Sequence, residues 1–578
     1  VPRSNDQVEQ VLLEYADLLS ITSADPFKPR AYEKAARAIA GEADDLRSMN
    51  RSAILRIPGV GRSIAAKIGE LLDTGTFAEL EELRTQVPAG VVAMTKLSGF
   101  GPKRALHVYR ELGLSSVEEL VDAAEAGRLS KLKGFSHGVE AGIIRAAERS
   151  LTSAGRMRID QASDIAEQLL GELLALPETG KGIIAGSLRR MRETVGDVDL
   201  LVTSRDATAV MDAFGALPAI RSVLARGTTK ASVLVEQDLQ VDLRVVAPQA
   251  WGAALIYFTG SKAHNVRLRE MAVRADLRLN EYGLFEAETE RLVVSSTERS
   301  VYEHLGLRFI PPTLREDTGE IEAAAEDALP SLITAKSIKG ELHLHTDLTD
   351  GRHDLQRMLD AAAERGFTYV AVTDHAPNLA MQRMTLDKML DQRRALRSLQ
   401  DRYPGMRLLH GVELNIGRDG TVDWDADVLS GFDMTVASVH ANFKLSREEQ
   451  TRRLVRAIEN PFVDLLGHPS TRKIGARDPI DADWAVVYEV AARTGTALEI
   501  NCRPDRLDLR DEEVSRARRA GARFAIDTDA HADNDLDLLR YGIGVAQRGW
   551  VSAQDVVNAW PLGKLERFLA RRRPSTGP

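Results

Sequence analysis

The sequence predicts a multidomain chain with a helical front, a mixed α+β middle and a C-terminal parallel β/α barrel. Three observations predict it. Residues 6 to about 150 have helical apolar spacing broken by short glycine-rich turns, with long helical stretches at Val8–Leu19, Ala31–Ala40 and Ile64–Leu72. Around Ile183 the spacing changes to short strand-like runs, Ile183–Ala185, Val198–Val202, Val233–Val235 and Leu239–Val246, with helical pattern separating the first two from the last two. From Lys339 onward, seven apolar runs alternate with helical stretches: Glu341–His345, Tyr369–Thr373, Arg407–Leu414, Met434–Val439, Val463–Gly467, Ala497–Ile500 and Phe524–Asp527.

Composition sets outer bounds. The 578 residues leave room for about four units of ordinary size, and an apolar content of 44% is that of a globular protein. No run approaches the ~20 uninterrupted apolar residues of a membrane helix, and the N-terminus lacks the basic-then-apolar layout of a secretion signal. No membrane association is therefore expected. A single cysteine, Cys502, excludes an intrachain disulfide and fits a reducing, cytoplasmic location. The net charge of −9 does not exclude a nucleic-acid partner, because ligand carboxylates for several metal ions would account for much of it.

In the helical front, Pro58-Gly59-Val60-Gly61 lies between two helical patterns, and Gly99-Phe100-Gly101 repeats it about forty residues later. A third, degraded copy is Gly134-Phe135-Ser136. A Gly-x-Gly turn opening a helix lets backbone N–H groups face a phosphate, whatever the base sequence. Arg62, Lys67, Lys103 and Arg104 add positive charge. One such turn is as readily a plain connection between helices; two favour DNA. They resemble helix-hairpin-helix elements.

In the middle unit, Gly186-Ser187-Leu188-Arg189-Arg190 precedes Gly196-Asp197-Val198-Asp199-Leu200. Residues i and i+2 of a strand share a face, so Asp197 and Asp199 present their carboxylates side by side while Val198 and Leu200 point into a core. Asp242 lies in another apolar run and can join them from a neighbouring strand. Three hard oxygen ligands suit Mg²⁺ or Mn²⁺, and two ions about 4 Å apart can activate a hydroxyl and stabilise a leaving pyrophosphate. Gly186-Ser187 opens the backbone to a triphosphate and Arg190 can neutralise it.

With Tyr257-Phe258-Thr259-Gly260-Ser261, Asn265, Arg269 and Asn280-Glu281-Tyr282, this segment resembles the family X DNA polymerases over roughly residues 6 to 316. The resemblance implies that Asp197, Asp199 and Asp242 hold the catalytic metals, with Asp242 accepting the primer proton. Gly186, Ser187 and Arg190 would meet the triphosphate, Tyr257, Phe258 and Gly260 the sugar, Asn265 the base and Arg269 the template. Arg244 would interact with the metal-binding acids. Gly59, Gly61, Gly99, Gly101 and Lys103 would hold DNA. Lys67, with Lys28 and Tyr32, falls where some members carry a lyase nucleophile, but Ser63 and Phe27 depart from that pattern, and a phosphate-binding or solvated lysine is an equal reading.

In the C-terminal half, polar residues collect where apolar strands end: His343, His345 and Asp350, then His375, Glu413, His440, His468, Asp529 and His531. Six of the twelve histidines lie at these ends, too many for chance. The C-terminal strand ends of a parallel barrel share one rim, where active sites form. Nine nitrogen and oxygen ligands suit up to three Zn²⁺, Mn²⁺ or Fe ions, with Glu413 bridging. The set resembles the PHP (polymerase and histidinol phosphatase) domain over roughly residues 336–570. Glu341 stands where that family's opening motif has Asp, a change expected to act only on the surroundings of the ligands.

The domains expected are 1–85, a helical lyase-like domain with a helix-hairpin-helix; 86–155, fingers with the second; 156–250, a nucleotidyltransferase palm; 251–316, a thumb; 317–335, an acidic linker; and 336–578, a distorted (β/α)7 barrel. The expected function is a DNA-directed DNA polymerase filling short gaps in base-excision or end-joining repair, with a metal-dependent 3′→5′ exonuclease or 3′-phosphodiesterase in the barrel. Its partners would be gapped or nicked DNA, 3′ ends and deoxynucleoside triphosphates, and the chain would be a monomer. The rival readings are a barrel that hydrolyses small phosphate esters or is structural, and a front half that binds DNA ends without catalysis.

Overall fold

The structure is a computed structural model that describes residues 5–22, 25, 27–40, 46–57, 59–95, 102–132, 135, 156–236, 239–379 and 384–571. Gly99, Gly101, the third glycine turn at Gly134 and Ser136, and the arginine tail from Arg572 lie outside the described residues. The chain divides into two units, residues 1–189 with 194–309, and residues 190–193 with 310–578.

The first unit opens with helices Asn5–Thr22 and Phe27–Ala40, which pack on each other. Tyr15 meets the edges of Tyr32 and Phe77 at 4.8 and 4.9 Å, inside a core that includes Leu12, Ile39, Ile68 and Leu71. Helix Arg62–Thr74 buries Ile64, Ile68 and Leu71, the spacing of one helical stripe, and stops at Gly75 in the left-handed conformation.

The expected palm region holds a five-stranded sheet in the order Thr179–Ile184, Asp197–Ser204, Gln240–Val246, Lys230–Leu234, Ser222–Arg226. Asp197–Ser204 and Gln240–Val246, two of its three inner strands, run parallel; every other pairing is antiparallel. The strand Gln240–Val246 alternates strictly between buried and half-buried residues, so Val241, Leu243 and Val245 enter the core while Asp242 and Arg244 share the other face. Helix Ile159–Leu174 packs on the edge strand Thr179–Ile184. The strand Ser222–Arg226 has no apolar alternation and was not expected. Helices Trp251–Thr259 and Lys262–Arg274 lead to the hairpin strands Leu277–Asn280 and Gly283–Glu286. Glu281 and Tyr282 turn between them, where Asn280 Oδ1 accepts the backbone N–H groups of Tyr282 and Gly283 at 3.0 and 3.1 Å.

In the second unit, two parallel sheets carry the barrel. One has the order Gly340–Glu341, Tyr369–Val372, Arg407–His410; the other runs Glu413–Asn415, Val436–Ser438, Leu465–Leu466, Ala497–Asn501, Arg523–Asp527. Parallel bridges His375↔Glu413 and Leu344↔Ala530 join the two at both seams. The strands are therefore the seven expected, with the third interrupted after His410. Residues 317–335 hold the helix Glu320–Ala325, and Ile321, Ala324 and Ile333 are buried.

Candidate active sites

In the palm, Asp199 and Asp242 are direct partners across the parallel strand pair, and Asp197 lies one alternation before Asp199. Burial first, and then repulsion from Asp197 and Asp242, pushes the Asp199 carboxyl well above its usual range. Enclosure and the Asp242 charge raise Asp197 too, although it keeps an exposed edge. Such a cluster favours a divalent cation over its protons. Lys230 Nζ lies 3.5 Å from Asp242 and 3.1 Å from Glu9, and Gln240 donates to Asp242 Oδ1 at 2.8 Å.

Gly186 begins the short helix Gly186–Arg189 at φ +59°, directly against Asp199. A Cβ there would stand 2.2 Å from Asp199 Oδ2, so only glycine lets the Ser187 backbone lie beside the acids. Arg189 is fixed by Glu298 at 2.8 and 2.7 Å and by Thr259 at 2.6 Å. Arg190 belongs to the second unit, where its Nε donates to Glu316 at 2.9 Å.

Tyr257 and Phe258 meet edge to face at 5.0 Å, and the Arg244 guanidinium lies over the Phe258 ring at 4.7 Å. Gly260 ends that helix. Asn265 donates to the Tyr257 carbonyl at 2.7 Å, and Arg269 follows one turn later on the same helix face.

In the helical region, Gly59 and Gly61 are exposed, and no side chain caps the first turn of helix Arg62–Thr74, which leaves its N–H groups open. Lys103 is exposed in the first turn of helix Pro102–Leu112. Lys67 is buried under the rings of Tyr15 and Phe77 and paired with Glu79, whose carboxyl it holds below the usual range.

On the barrel rim all nine expected ligands converge. Ligand atoms of His345, Asp350, His375 and His531 lie within 4.8 Å of one another, as do those of His343, His345 and Asp529 and those of His375, Glu413 and His440. His468 Nε2 joins at 3.1 Å from Glu413 Oε1. Glu413 is central: His375, His440 and His468 approach it at 2.8, 3.2 and 3.1 Å.

Burial alone would raise the Glu413 carboxyl, but His375, His440 and His343 hold it well below its usual range. His375 is pushed up to about 10 against burial by Glu413 and Asp350, whereas burial and His531 bring His345 down to about 3. The fit to metal ions is visible in the nitrogens: His343 Nε2 and both ring nitrogens of His345 are buried without a hydrogen-bond partner. Such atoms are costly unless something ligates them. The donor set of imidazole and carboxylate suits Zn²⁺, Mn²⁺ or Fe²⁺.

Sequence reasoning missed the groups that aim these ligands. His440 Nδ1 donates to Asn415 Oδ1 at 2.8 Å. Asp374 takes hydrogen bonds from Thr346 N–H and hydroxyl, from Thr349 and from Gln392, anchoring the loop before Asp350. Glu341 accepts from Thr528 N–H and hydroxyl at 3.0 and 2.9 Å, beneath the ligands and not among them. Cys502 is buried, and its Sγ lies 3.7 Å from the Ile500 carbonyl and against Gly542.

Comparison with known proteins follows the same division. Residues 3–77 match a helix-hairpin-helix domain, 91–149 a SAM-like helix-hairpin-helix tandem, 254–316 the DNA polymerase beta thumb and 341–502 the PHP domain. The chain is 35% identical over 565 residues to the DNA polymerase/3′-5′ exonuclease PolX of Bacillus subtilis, covering 97% of this chain and 98% of that one. A "probable phosphatase" of a Thermoanaerobacter species is 26% identical over 41% of this chain and 97% of its own length. DNA polymerase lambda of Rattus norvegicus is 25% identical over 45% of this chain and 48% of its own.

Proposed function

This chain belongs to the bacterial family X DNA polymerases that carry a C-terminal PHP domain, and from that premise we propose how its two constellations divide the work. The protein is a DNA-directed DNA polymerase that fills short gaps, with a metal-dependent 3′→5′ exonuclease in the PHP domain. The observation that carries this is end-to-end alignment, 97% of the chain, with a relative named for both activities.

At the palm, Asp197, Asp199 and Asp242 hold Mg²⁺ or Mn²⁺, which when bound activates the primer hydroxyl and neutralises the departing pyrophosphate. Asp242 takes the primer proton; its place beside the Asp199 carboxylate supports that role. Backbone N–H groups at Gly186-Ser187 receive the triphosphate. Arg190 neutralises the triphosphate. Tyr257 and Phe258 form the sugar wall, held by the Asn265 amide, and Arg269 meets the template.

At the rim, the nine ligands hold up to three ions of the Zn²⁺, Mn²⁺ or Fe class, which when bound lower the pKa of water and stabilise a leaving oxygen. His343 and His345 sit deepest and fix the centre; Glu413 spans its halves. The substrate is the 3′-terminal phosphodiester of a DNA strand, and each cleavage leaves a new 3′-hydroxyl. The protein acts in the cytoplasm, as a monomer, on gapped or nicked DNA. A second reading of the rim, hydrolysis of small phosphate monoesters, has the similarity to the probable phosphatases in its favour.

The test separates the sites. His343→Ala with His345→Ala is expected to abolish trimming of a labelled 3′ end and leave gap incorporation intact; Asp197→Asn with Asp199→Asn is expected to do the reverse. Trimming that survives the histidine changes, or phosphate release from small monoesters without trimming, would overturn the assignment.

A further inference from the structure

One barrel strand brings no ligand to the rim. The strand Ala497–Asn501 lies between Leu465–Leu466, which runs on to His468, and Arg523–Asp527, which runs on to Asp529 and His531. Alternation puts Glu499 and Asn501 on one face, and both are fully buried. A charged and an amide side chain with no exposure must find all their partners inside.

Those partners are the ligands. Glu499 Oε1 accepts His343 Nδ1–H at 2.6 Å. Glu499 Oε2 accepts the backbone N–H of His468 and the amide of Asn501, the latter at 3.2 Å. The same Asn501 Nδ2 donates to Asp529 Oδ2 at 3.1 Å, and Asn501 Oδ1 accepts Arg503 N–H at 3.1 Å. The Asn501 amide is therefore locked, because a flip would turn its oxygen toward two carboxylates. The three hydrogen bonds to the Glu499 carboxylate all come from donors, so a side chain with two accepting oxygens satisfies them, while the Asp527 carboxyl lies near enough to be raised by its charge.

This strand thus fixes three ligands from three separate strands. With Nδ1 tied to Glu499, His343 presents its Nε2 lone pair to the cluster, where that atom is buried 3.5 Å from Glu413 and 3.8 Å from Asp529 and has no hydrogen-bond partner. A carboxylate behind a ligating imidazole sets the tautomer and makes the ring a stronger donor. We propose that Glu499 and Asn501 are a positioning pair that orients His343, His468 and Asp529 and thereby sets the metal affinity of the PHP centre. The inference rests on the reading above that these three side chains bind ions.

The test uses the full chain stripped of metal, with Glu499→Gln and Asn501→Asp. Glutamine keeps one acceptor and turns an NH₂ toward a donor; aspartate places a third carboxylate between Glu499 and Asp529. Mn²⁺ bound per chain is measured by equilibrium dialysis, Co²⁺ by its visible absorption, and 3′ trimming is titrated with Mn²⁺. In both variants the Mn²⁺ concentration for half-maximal trimming and for half-maximal binding is expected to rise about 10- to 100-fold, the range for lost outer partners of a metal ligand. The Co²⁺ band should change shape, trimming should recover at high Mn²⁺, and gap incorporation should match the parent. Variants that bind Mn²⁺ as the parent does, or lose trimming at an unchanged half-saturation, would overturn the proposal. So would loss of the barrel's thermal transition in both, since the pair would then only hold the fold. If the parent itself retains no Mn²⁺, the ligand reading fails instead.

Discussion

Substituting Gly186 tests whether the palm depends on a close approach that only glycine permits. In Gly186→Ala the new methyl would lie 2.2 Å from Asp199 Oδ2 and 3.1 Å from its Cγ. Carbon and oxygen need about 1 Å more than that, by the separations at which non-bonded atoms are at rest. The residue is also at φ +59°, where a side chain costs about 1–2 kcal/mol. The helix start and the acid must therefore part, and Asp199 is the proposed metal ligand beside Asp242. A misplacement of about 1 Å at a reacting centre costs about 100-fold in rate, or ~2.7 kcal/mol. Single-turnover incorporation into a one-nucleotide gap should fall by that factor at saturating nucleotide, while 3′ trimming is unchanged. Incorporation within about threefold of the parent, under 1 kcal/mol, would refute the claim that this contact sets the acid's position.

Three further outcomes are expected. The raised Asp199 carboxyl means that the metal-free fold prefers it protonated, so its contribution to stability is present at low pH and is lost as pH rises through that raised value. The rise in melting temperature on adding Mg²⁺ should therefore be larger at about pH 8 than at about pH 5; an equal rise at both would contradict it. Glu298→Ala strands the Arg189 guanidinium, which has only 15% side-chain exposure, and should cost about 3 kcal/mol in urea unfolding of the front unit. Lys67 would have to leave its ion pair with Glu79 and its cover of Tyr15 and Phe77 to attack a sugar aldehyde, so borohydride should trap no Lys67-dependent adduct on an incised abasic site; such an adduct would establish the lyase.

Both sites could be read from sequence because their residues obey simple periodicities. Asp197 and Asp199 sit two apart in an apolar strand, and rim histidines follow apolar runs such as Tyr369–Val372 and Leu465–Leu466. What could not be read was partnership. Glu499 and Asn501 also stand two apart in an apolar strand, but nothing local tells a bracing carboxylate from a ligand; the register that puts Glu499 behind His343 is tertiary. Arg190 adjoins Ser187's helix, yet its charge is taken by Glu316, 126 residues on. The strand Ser222–Arg226 lacked apolar alternation because only its edge pairing with Lys230–Leu234 defines it. The stretch 317–335 read as a linker because it is acidic and Ala-rich, without an apolar stripe along its whole length, although Ile321 and Ile333 are buried.

The central claim is that one chain both extends and shortens the same DNA strand. The most direct measurement places a 5′-labelled primer at a one-nucleotide gap with a downstream 5′-phosphate, and incubates it with Mg²⁺ or Mn²⁺ with and without the four deoxynucleotides. The account predicts addition of one nucleotide when they are present and stepwise shortening from the 3′ end when they are absent. A primer that is bound but unchanged in length in both would contradict it.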